Sequence, residues 1–209
     1  MFDNRLSLQR GDFHFSLPIG GKRFIYAYIR KNGCSAFKRA VGLPSDAHVA
    51  AMIERFEWRP FRRRHDGAIF VWRDPLDRLL SLYKNKILDA QHNGDIWRTY
   101  CKIMAEEPST FERFVEFATT EADPHCIPQY RHLKPLRYTH AIELCELGAA
   151  MVELVGEEAA RPFQHPVNAS NAHAVHVSKR ARELIESHYA KDYRMIDRIR
   201  GRPTRRRVR

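Results

Sequence analysis

The 209-residue chain has little cysteine, and no pattern in the cysteine it has. Cys34, Cys101, Cys126 and Cys145 lack the spacing of a metal site and the density of a disulfide framework, which fits a reducing compartment. A long apolar run is missing as well. The opening MFDNRLSLQRGDF is too polar for a signal peptide or a membrane span, so no integral membrane contact is expected. Internal repeats and a clear linker are absent, and 44% hydrophobic with 11% aromatic content suits one globular domain. No G-x-x-x-x-G-K-[ST] loop is present, and no acidic cluster offers itself to magnesium, which counts against a nucleotide-dependent phosphotransferase. Acid is scarce: 25 Asp and Glu face 36 Lys and Arg, a formal charge of +11 that implies an anionic ligand or surface. Part of that charge is local. GRPTRRRVR at 201–209 holds five arginines and reads as a solvated tail behind a domain spanning 1–200. A basic nucleic-acid-binding protein is a further alternative, yet no zinc-finger, RNA-recognition or helix-turn-helix pattern accompanies the charge, so no nucleic-acid partner is expected.

What is present centres on AIFVWRDPLDRLLSLYKNK, Ala68 to Lys86. Ala68 to Trp72 is a short run without a polar side chain, as in a strand buried on both faces of a parallel sheet. Asp74 is a good N-cap and Pro75 suits the first helical position, where its missing N–H costs nothing. Leu76, Leu79, Leu80 and Tyr83 then recur at helical spacing. A strand, a short turn and a helix start make an anion-binding geometry. Arg73 offers a bidentate fork there, and Ser81, eight residues on, a hydroxyl. Arg73 would equally serve to pair with Asp77 or Glu57.

A second unit of the same kind precedes it. Phe24 to Ile29 (FIYAYI) reads as a strand, and RKNGCSAFKRA after it as a loop and a helix. Gly33 permits a tight turn with close backbone approach, and Lys31 and Lys38 carry cations on the turn and the helix. Two strand-loop-helix units with cations at the carboxyl ends of their strands describe an α/β site for a ligand with two separated anionic groups.

These residues resemble the sulfotransferases that use 3′-phosphoadenosine 5′-phosphosulfate (PAPS), in particular the carbohydrate branch, sulfotransferase family 2-like. KNGCS at Lys31 to Ser35 is similar to that family's 5′-phosphosulfate loop. Arg73 and Ser81 resemble its 3′-phosphate pair. HCIPQ at His125 to Gln129, the stretch Tyr138 to Gly156 and HYAKDYRMI at His188 to Ile196 resemble later segments in the family's order. Two departures stand out: Arg30 replaces the usual Pro, and Cys34 with Ser35 replaces a commoner pair of threonines. The resemblance implies a P-loop-NTPase-like three-layer fold with a central parallel sheet flanked by helices. It implies PAPS as cofactor, no metal, and a carbohydrate or other hydroxyl-bearing acceptor. Arg30, Lys31, Asn32, Gly33, Cys34, Ser35, Ala36, Phe37, Arg73, Ser81 and Lys179 are its expected cofactor-binding residues. Asn168, Ser170 and Arg180 belong by looser likeness to a late loop over the nucleotide. Golgi members of the family carry an N-terminal anchor, and none is read in these residues, so a cytoplasmic location or a trimmed chain is the expectation.

Sulfuryl transfer needs a cation at the leaving oxygen, for which Lys31 is the candidate, and a base for the acceptor hydroxyl. Among eleven histidines His125 comes first because of its segment, with His48 and His65 behind it. For each, a hydrogen-bonded or exposed imidazole with no catalytic part is an equal reading.

Elsewhere the pattern predicts a strand at Phe13 to Leu17, helices over Ala36 to Leu43 and from Ser45 onward, and a helix from Asp95 to Glu107. A capping box, Ser109 with Glu112, opens another helix. A strand is expected at 138–143, a helix from Leu144 to Val155, a loop containing RPFQHPVNASNAHAV, and helices from Ser178 to Ile199. Trp97 and Tyr100 read as packing residues first and as acceptor contacts second. RPFRRRH at Arg59 to His65 is a solvated basic loop or a patch for an acidic saccharide or the cofactor, and the first reading is favoured because arginine runs are common on basic surfaces.

Overall fold

The structure, a computed structural model, describes residues 1–89, 94–164 and 174–201. In chain order the elements begin with β1 (Phe2–Asp3), β2 (His14–Ile19), β3 (Lys22–Ala27), α1 (Cys34–Ala40), α2 (Val49–Phe56), β4 (Gly67–Trp72) and α3 (Pro75–Tyr83). They continue through α4 (Asp95–Met104), α5 (Phe111–Thr119), β5 (Arg137–Tyr138), β6 (His140–Glu143), α6 (Leu147–Val155), α7 (Glu157–Gln164), α8 (Lys179–His188) and α9 (Ala190–Ile199). They gather into two compact units: Met1–Arg73 with the chain from Arg131 through α7, and Asp74–Tyr130 with α8 and α9.

The first unit is built on a four-stranded mixed sheet in the order β2-β3-β4-β6, flanked by helices. β3, β4 and β6 are parallel, as the apolar runs require, but β2 pairs antiparallel with β3, so the sheet is not parallel throughout. The reason is the Gly20-Gly21 turn. Both residues have φ in the left-handed region, 58° and 73°, and two residues close a hairpin where a parallel pair would need a long crossover. Alternation then sorts the faces. Phe15 and Leu17 of β2, Phe24 and Tyr26 of β3, and Ile69 and Val71 of β4 pack in one core with Phe37 of α1, Met52 of α2, Met151 of α6 and Phe163 of α7. Tyr26 and Phe37 stack at 3.8 Å between ring centroids. The other face of β4 presents Phe70 to Phe2 of β1 and Tyr138 of β5, at 5.7 and 5.0 Å. β4 is thus apolar on both faces because it is covered on both.

His14 is buried on that second face, with Nδ1 on the Asp12 carbonyl (3.0 Å) and Nε2 accepting the Tyr138 hydroxyl (2.7 Å). Burial pulls its pKa down to about 4, from an ordinary 6.5. The unfolded chain therefore takes up this proton first, and the stability the neutral ring contributes is full above pH 6.5 and lost as pH falls toward 4. We expect roughly 2–4 kcal/mol of acid destabilisation from this ring alone. Urea denaturation of wild type and His14→Gln between pH 4 and 7.5 checks it: the difference between the two should shrink toward low pH, and a constant difference contradicts it.

The second unit is helical. Leu79 and Leu82 of α3, Trp97 and Tyr100 of α4, Phe114 and Phe117 of α5, and Ala181 and Ile185 of α8 share its core. Trp97 and Tyr100 are thus packing residues; the Tyr100 hydroxyl donates to Glu106 at 2.9 Å. α3 opens as its sequence implies, with Pro75 in the first turn and the Asp74 carboxylate accepting from the Leu76 and Asp77 N–H groups at 2.8 and 3.4 Å. Other boundaries shift. Thr110, not Ser109, caps α5, and Glu112 instead accepts the hydroxyl of Ser178, the cap of α8. RPFQ lies at the end of α7, not in a loop, with Pro162 inside the helix. The tail from 202 lies outside the described residues. Among the described residues no helix is long and apolar enough to cross a membrane, and no group of acidic, His and Cys side chains is placed to hold a metal ion.

Candidate active site

In the first unit the loop after β3 turns sharply. Lys31 and Gly33 both adopt left-handed φ, 67° and 76°, a conformation that costs a lysine about 1–2 kcal/mol. Strain of that kind persists where surrounding structure holds it. Two neighbours do so. The buried Asn32 donates its amide to the Val71 carbonyl at 2.8 Å, and Gly33 lies so close to α6 that a Cβ there would come within 2.9 Å of Leu147 and 3.0 Å of Leu144. α1 then starts at Gly33 with no side-chain cap and no acidic residue in its first turn. Gly33→Ala is expected to cost about 1–3 kcal/mol through its φ and this contact. Thermal denaturation checks that, and an unchanged midpoint contradicts it.

The loop's side chains divide. Lys31 and Ser35 are half-buried. Arg30 leans over the Tyr28 ring, 5.8 Å from its centroid, and adds to the field that lowers the Asp12 pKa behind the hydrogen bond from His132. Asn32 is committed to β4. Cys34 packs on the core beside Tyr28, whose pKa is raised by burial and, to a lesser degree, by the nearby thiol. Ala36 and Phe37 are core residues, and the Ala36 N–H is spent on the Gly33 carbonyl at 3.0 Å. The side chains of Asn32, Cys34, Ala36 and Phe37 thus build the loop, and what this stretch has to offer a cofactor is backbone N–H groups rather than those side chains. Lys38 is also no cation for a ligand, because its buried ammonium donates to the Ala47 carbonyl at 2.6 Å.

Arg73 leaves β4 at the sheet edge from which the Lys31 loop leaves β3, since the two strands are parallel and paired from Phe24 opposite Gly67 to Ala27 opposite Phe70. The bond from Asn32 to Val71 ties the loop to β4 two residues before Arg73. Glu143 ends the next parallel strand, opposite Trp72 in register, and brings a half-buried carboxylate to the same edge. Sequence reading passed over Glu143 as a site residue, and it took Asn32 for a cofactor contact rather than for the tie between the loop and β4. Only the last position of an alternating run, IE after YTHA, marks Glu143, and nothing local marks the bond made by Asn32.

In the second unit Ser81 is half-buried, two turns into α3. His125 is half-buried, and its Nδ1 lies 2.7 Å from the Asp123 carboxylate, which also accepts the His125 N–H at 2.8 Å. A carboxylate on Nδ1 fixes the proton there and puts the basic lone pair on Nε2, as an acceptor of a substrate proton requires. The segment behind it is clamped. Tyr189 donates to the Cys126 carbonyl (2.6 Å), the buried Arg78 to the Ile127 carbonyl (3.0 Å), and Asp192 accepts the N–H groups of Gln129 and Tyr130, both at 2.8 Å. Burial raises the Asp192 pKa to about 6, against the pull of those two N–H groups and the Arg78 guanidinium. Lys179, the first residue of α8, is exposed and pairs with Glu183 at 3.8 Å. Arg180 pairs with Glu112 and Glu116, while Asn168 and Ser170 lie outside the described residues.

The two remaining histidines take other parts. His48 caps α2, its Nδ1 accepting the Ala50 N–H at 3.2 Å. His65 hydrogen-bonds the Ser16 hydroxyl at 2.9 Å. Ser16 lies opposite Ile25 on the sheet face turned away from α1, six residues short of Lys31 along the strand, so His65 is removed as a base for a reaction at Lys31.

The model of the Sulfotransferase family matches residues 20–150, from the β2–β3 turn into α6. The chain belongs to the sulfotransferase family. Carbohydrate sulfotransferase 14 of Mus musculus is 29% identical over 143 residues, covering 54% of this chain and 38% of the mouse protein. The Homo sapiens protein of the same name gives the same figures, and that of Danio rerio is 28% identical over 144 residues, covering 54% of this chain and 39% of its own. The chain thus matches well under half the length of these relatives. No solved structure matches it. The family match takes in the Lys31 loop, Arg73, Ser81 and His125 of this sulfotransferase chain, and Glu143 as well, but not Lys179 or Asp192.

Proposed function

We propose that this sulfotransferase moves a sulfuryl group from PAPS to a hydroxyl of a carbohydrate by in-line displacement, on a P-loop-like three-layer fold. One observation carries the reading: a strained, lysine-bearing loop and an arginine leave adjacent parallel strands at one sheet edge, joined by the Asn32 to Val71 hydrogen bond. The residues suit a nucleotide with anionic groups at both ends. A half-buried ammonium, a hydroxyl and an uncapped helix start follow β3, and a guanidinium follows β4. PAPS, when bound, supplies the activated sulfuryl group.

In this reading the Lys31 ammonium balances the charge that grows on the oxygen bridging to the 5′-phosphate, an interaction strongest in the transition state. The Ser35 hydroxyl and backbone N–H groups from Gly33 onward hold the 5′-phosphate. Arg73 and Ser81 hold the 3′-phosphate, Arg73 by its bidentate fork. His125, oriented by Asp123, takes the acceptor hydroxyl's proton on Nε2. Relatives named as carbohydrate sulfotransferases support the acceptor class. The test is incubation with radiolabelled PAPS against polysaccharides, oligosaccharides, lipids and phenols. Label on a saccharide is expected; label on none of them overturns the proposal.

A further inference from the structure

Away from the Lys31 edge, the first unit carries a cleft of about 380 Å³ that the reaction above leaves unused. Ser16 and Pro18 of β2 and Arg23 of β3 form its floor, and the end of α2 with the following loop forms its wall. Five arginines line it, Arg23, Arg55, Arg59, Arg62 and Arg63. One carboxylate answers them, Glu57, which pairs with Arg59 at 3.2 Å. Arg55, Arg62 and Arg63 have no carboxylate partner among the described residues. Like charges gathered round one cleft repel, so they oppose folding unless an anion joins them. Trp58 adds an aromatic face to the same wall.

The cleft is remote from the candidate cofactor loops. Ser16 and Pro18 alternate with Phe15, Leu17 and Ile19, which pack in the core with α1, so the cleft opens on the other face of the sheet. Arg23 stands near the amino end of β3, about 13 Å of strand from Ala27, the end that leads on to Lys31.

We infer that this cleft is a binding site for an acidic saccharide, the sulfate or carboxylate groups taken by the arginine forks and a sugar ring by Trp58. Its volume lies at the low end of ligand pockets, about 300–1,000 Å³, which suits a short stretch of a longer glycan. A single-stranded nucleic acid would call for a long groove with several stacking rings, and here one tryptophan stands beside compact arginines. Read with the sulfuryl-transfer proposal, on which this last step rests, the acceptor is an anionic polysaccharide held at a second point far from the reacting hydroxyl.

The experiment uses calorimetry on the full chain with a chondroitin sulfate hexasaccharide as probe. Arg59→Gln, Arg62→Gln and Arg63→Gln are combined in one variant, and Arg205→Gln, Arg206→Gln and Arg207→Gln, which remove the same charge from the tail, in another. The cleft variant should weaken hexasaccharide binding by about tenfold or more, with the affinity for 3′,5′-bisphosphoadenosine unchanged and a thermal midpoint no lower than wild type. The tail variant should stay close to wild type. Equal loss in both variants, or none in the cleft variant, overturns the inference. Tighter binding of a single-stranded DNA dodecamer that competes with the hexasaccharide also overturns it, in favour of nucleic acid. Hexasaccharide binding lost only in the cleft variant, with no radiolabel transferred to any sugar, keeps the cleft and removes the sulfuryl-transfer reading. The reverse result does the opposite.

Discussion

Lys31→Met lowers turnover by about 10²–10³ while weakening bisphosphate nucleotide binding far less, if this ammonium meets charge that develops only on the way to the transition state. Methionine keeps the length and apolar stem of the side chain and removes only the charge. It also keeps a Cβ, so the left-handed φ of 67° costs the loop about the same in variant and wild type. Lys31→Gly is the companion variant. It relieves the strain, and should be as inactive as Lys31→Met while unfolding at the same or a higher temperature. Steady-state kinetics with PAPS varied, beside calorimetry with 3′,5′-bisphosphoadenosine, separate the two effects. Retained turnover in both variants makes Lys31 a structural residue.

Asp192→Ala is the substitution expected to cost most in stability, about 3–5 kcal/mol, a large part of the 5–15 kcal/mol typical of a folded domain. Its carboxylate accepts two backbone N–H groups, of Gln129 and Tyr130, and draws on Arg78, itself fully buried. Alanine leaves the two buried N–H groups without their acceptor and takes away the negative charge facing Arg78. Asp192→Asn keeps one acceptor and should lose less. The pH dependence has a definite sign. A carboxyl raised by burial to about 6 holds its proton in the folded state while the unfolded chain releases it near 3.8, so this group favours folding at low pH and costs stability as pH rises from about 4 to 6. That is opposite to His14. Denaturation of Asp192→Asn should therefore show a flatter loss toward high pH than wild type; an unchanged slope contradicts the assignment.

The parts of the fold legible in sequence were those set by neighbouring residues. A run with no polar side chain, then Asp-Pro, gives β4 and the capped start of α3 without reference to anything distant. Gly33 announces a tight turn in the same way. Caps moved by a residue or more because Ser, Thr and His compete for them locally, and packing decides: Thr110 over Ser109, His48 over Ser45. The antiparallel β2 was implicit in Gly20-Gly21, but the parallel strands around it set the expectation. What stayed hidden depends on partners far along the chain. Cys34 looks like part of a phosphate loop until Tyr28 is beside it. The resemblance around His125 and the last helices turns out to include a scaffold, with Tyr189, Asp192 and Arg78 clamping residues 126–130. The arginine run at 59–65 reads as bare charge until β2 places Ser16 and Pro18 beneath it.

The account rests on Lys31 and Arg73 gripping the two ends of one nucleotide. Calorimetry of Arg73→Ala with 3′,5′-bisphosphoadenosine and with adenosine 5′-phosphate addresses that most directly. The variant should lose roughly 1.5–3 kcal/mol of affinity, about 10- to 100-fold, for the bisphosphate, and little for the 5′-phosphate, which lacks the group that Arg73 holds. A folded Arg73→Ala protein that binds the bisphosphate as tightly as wild type contradicts the account.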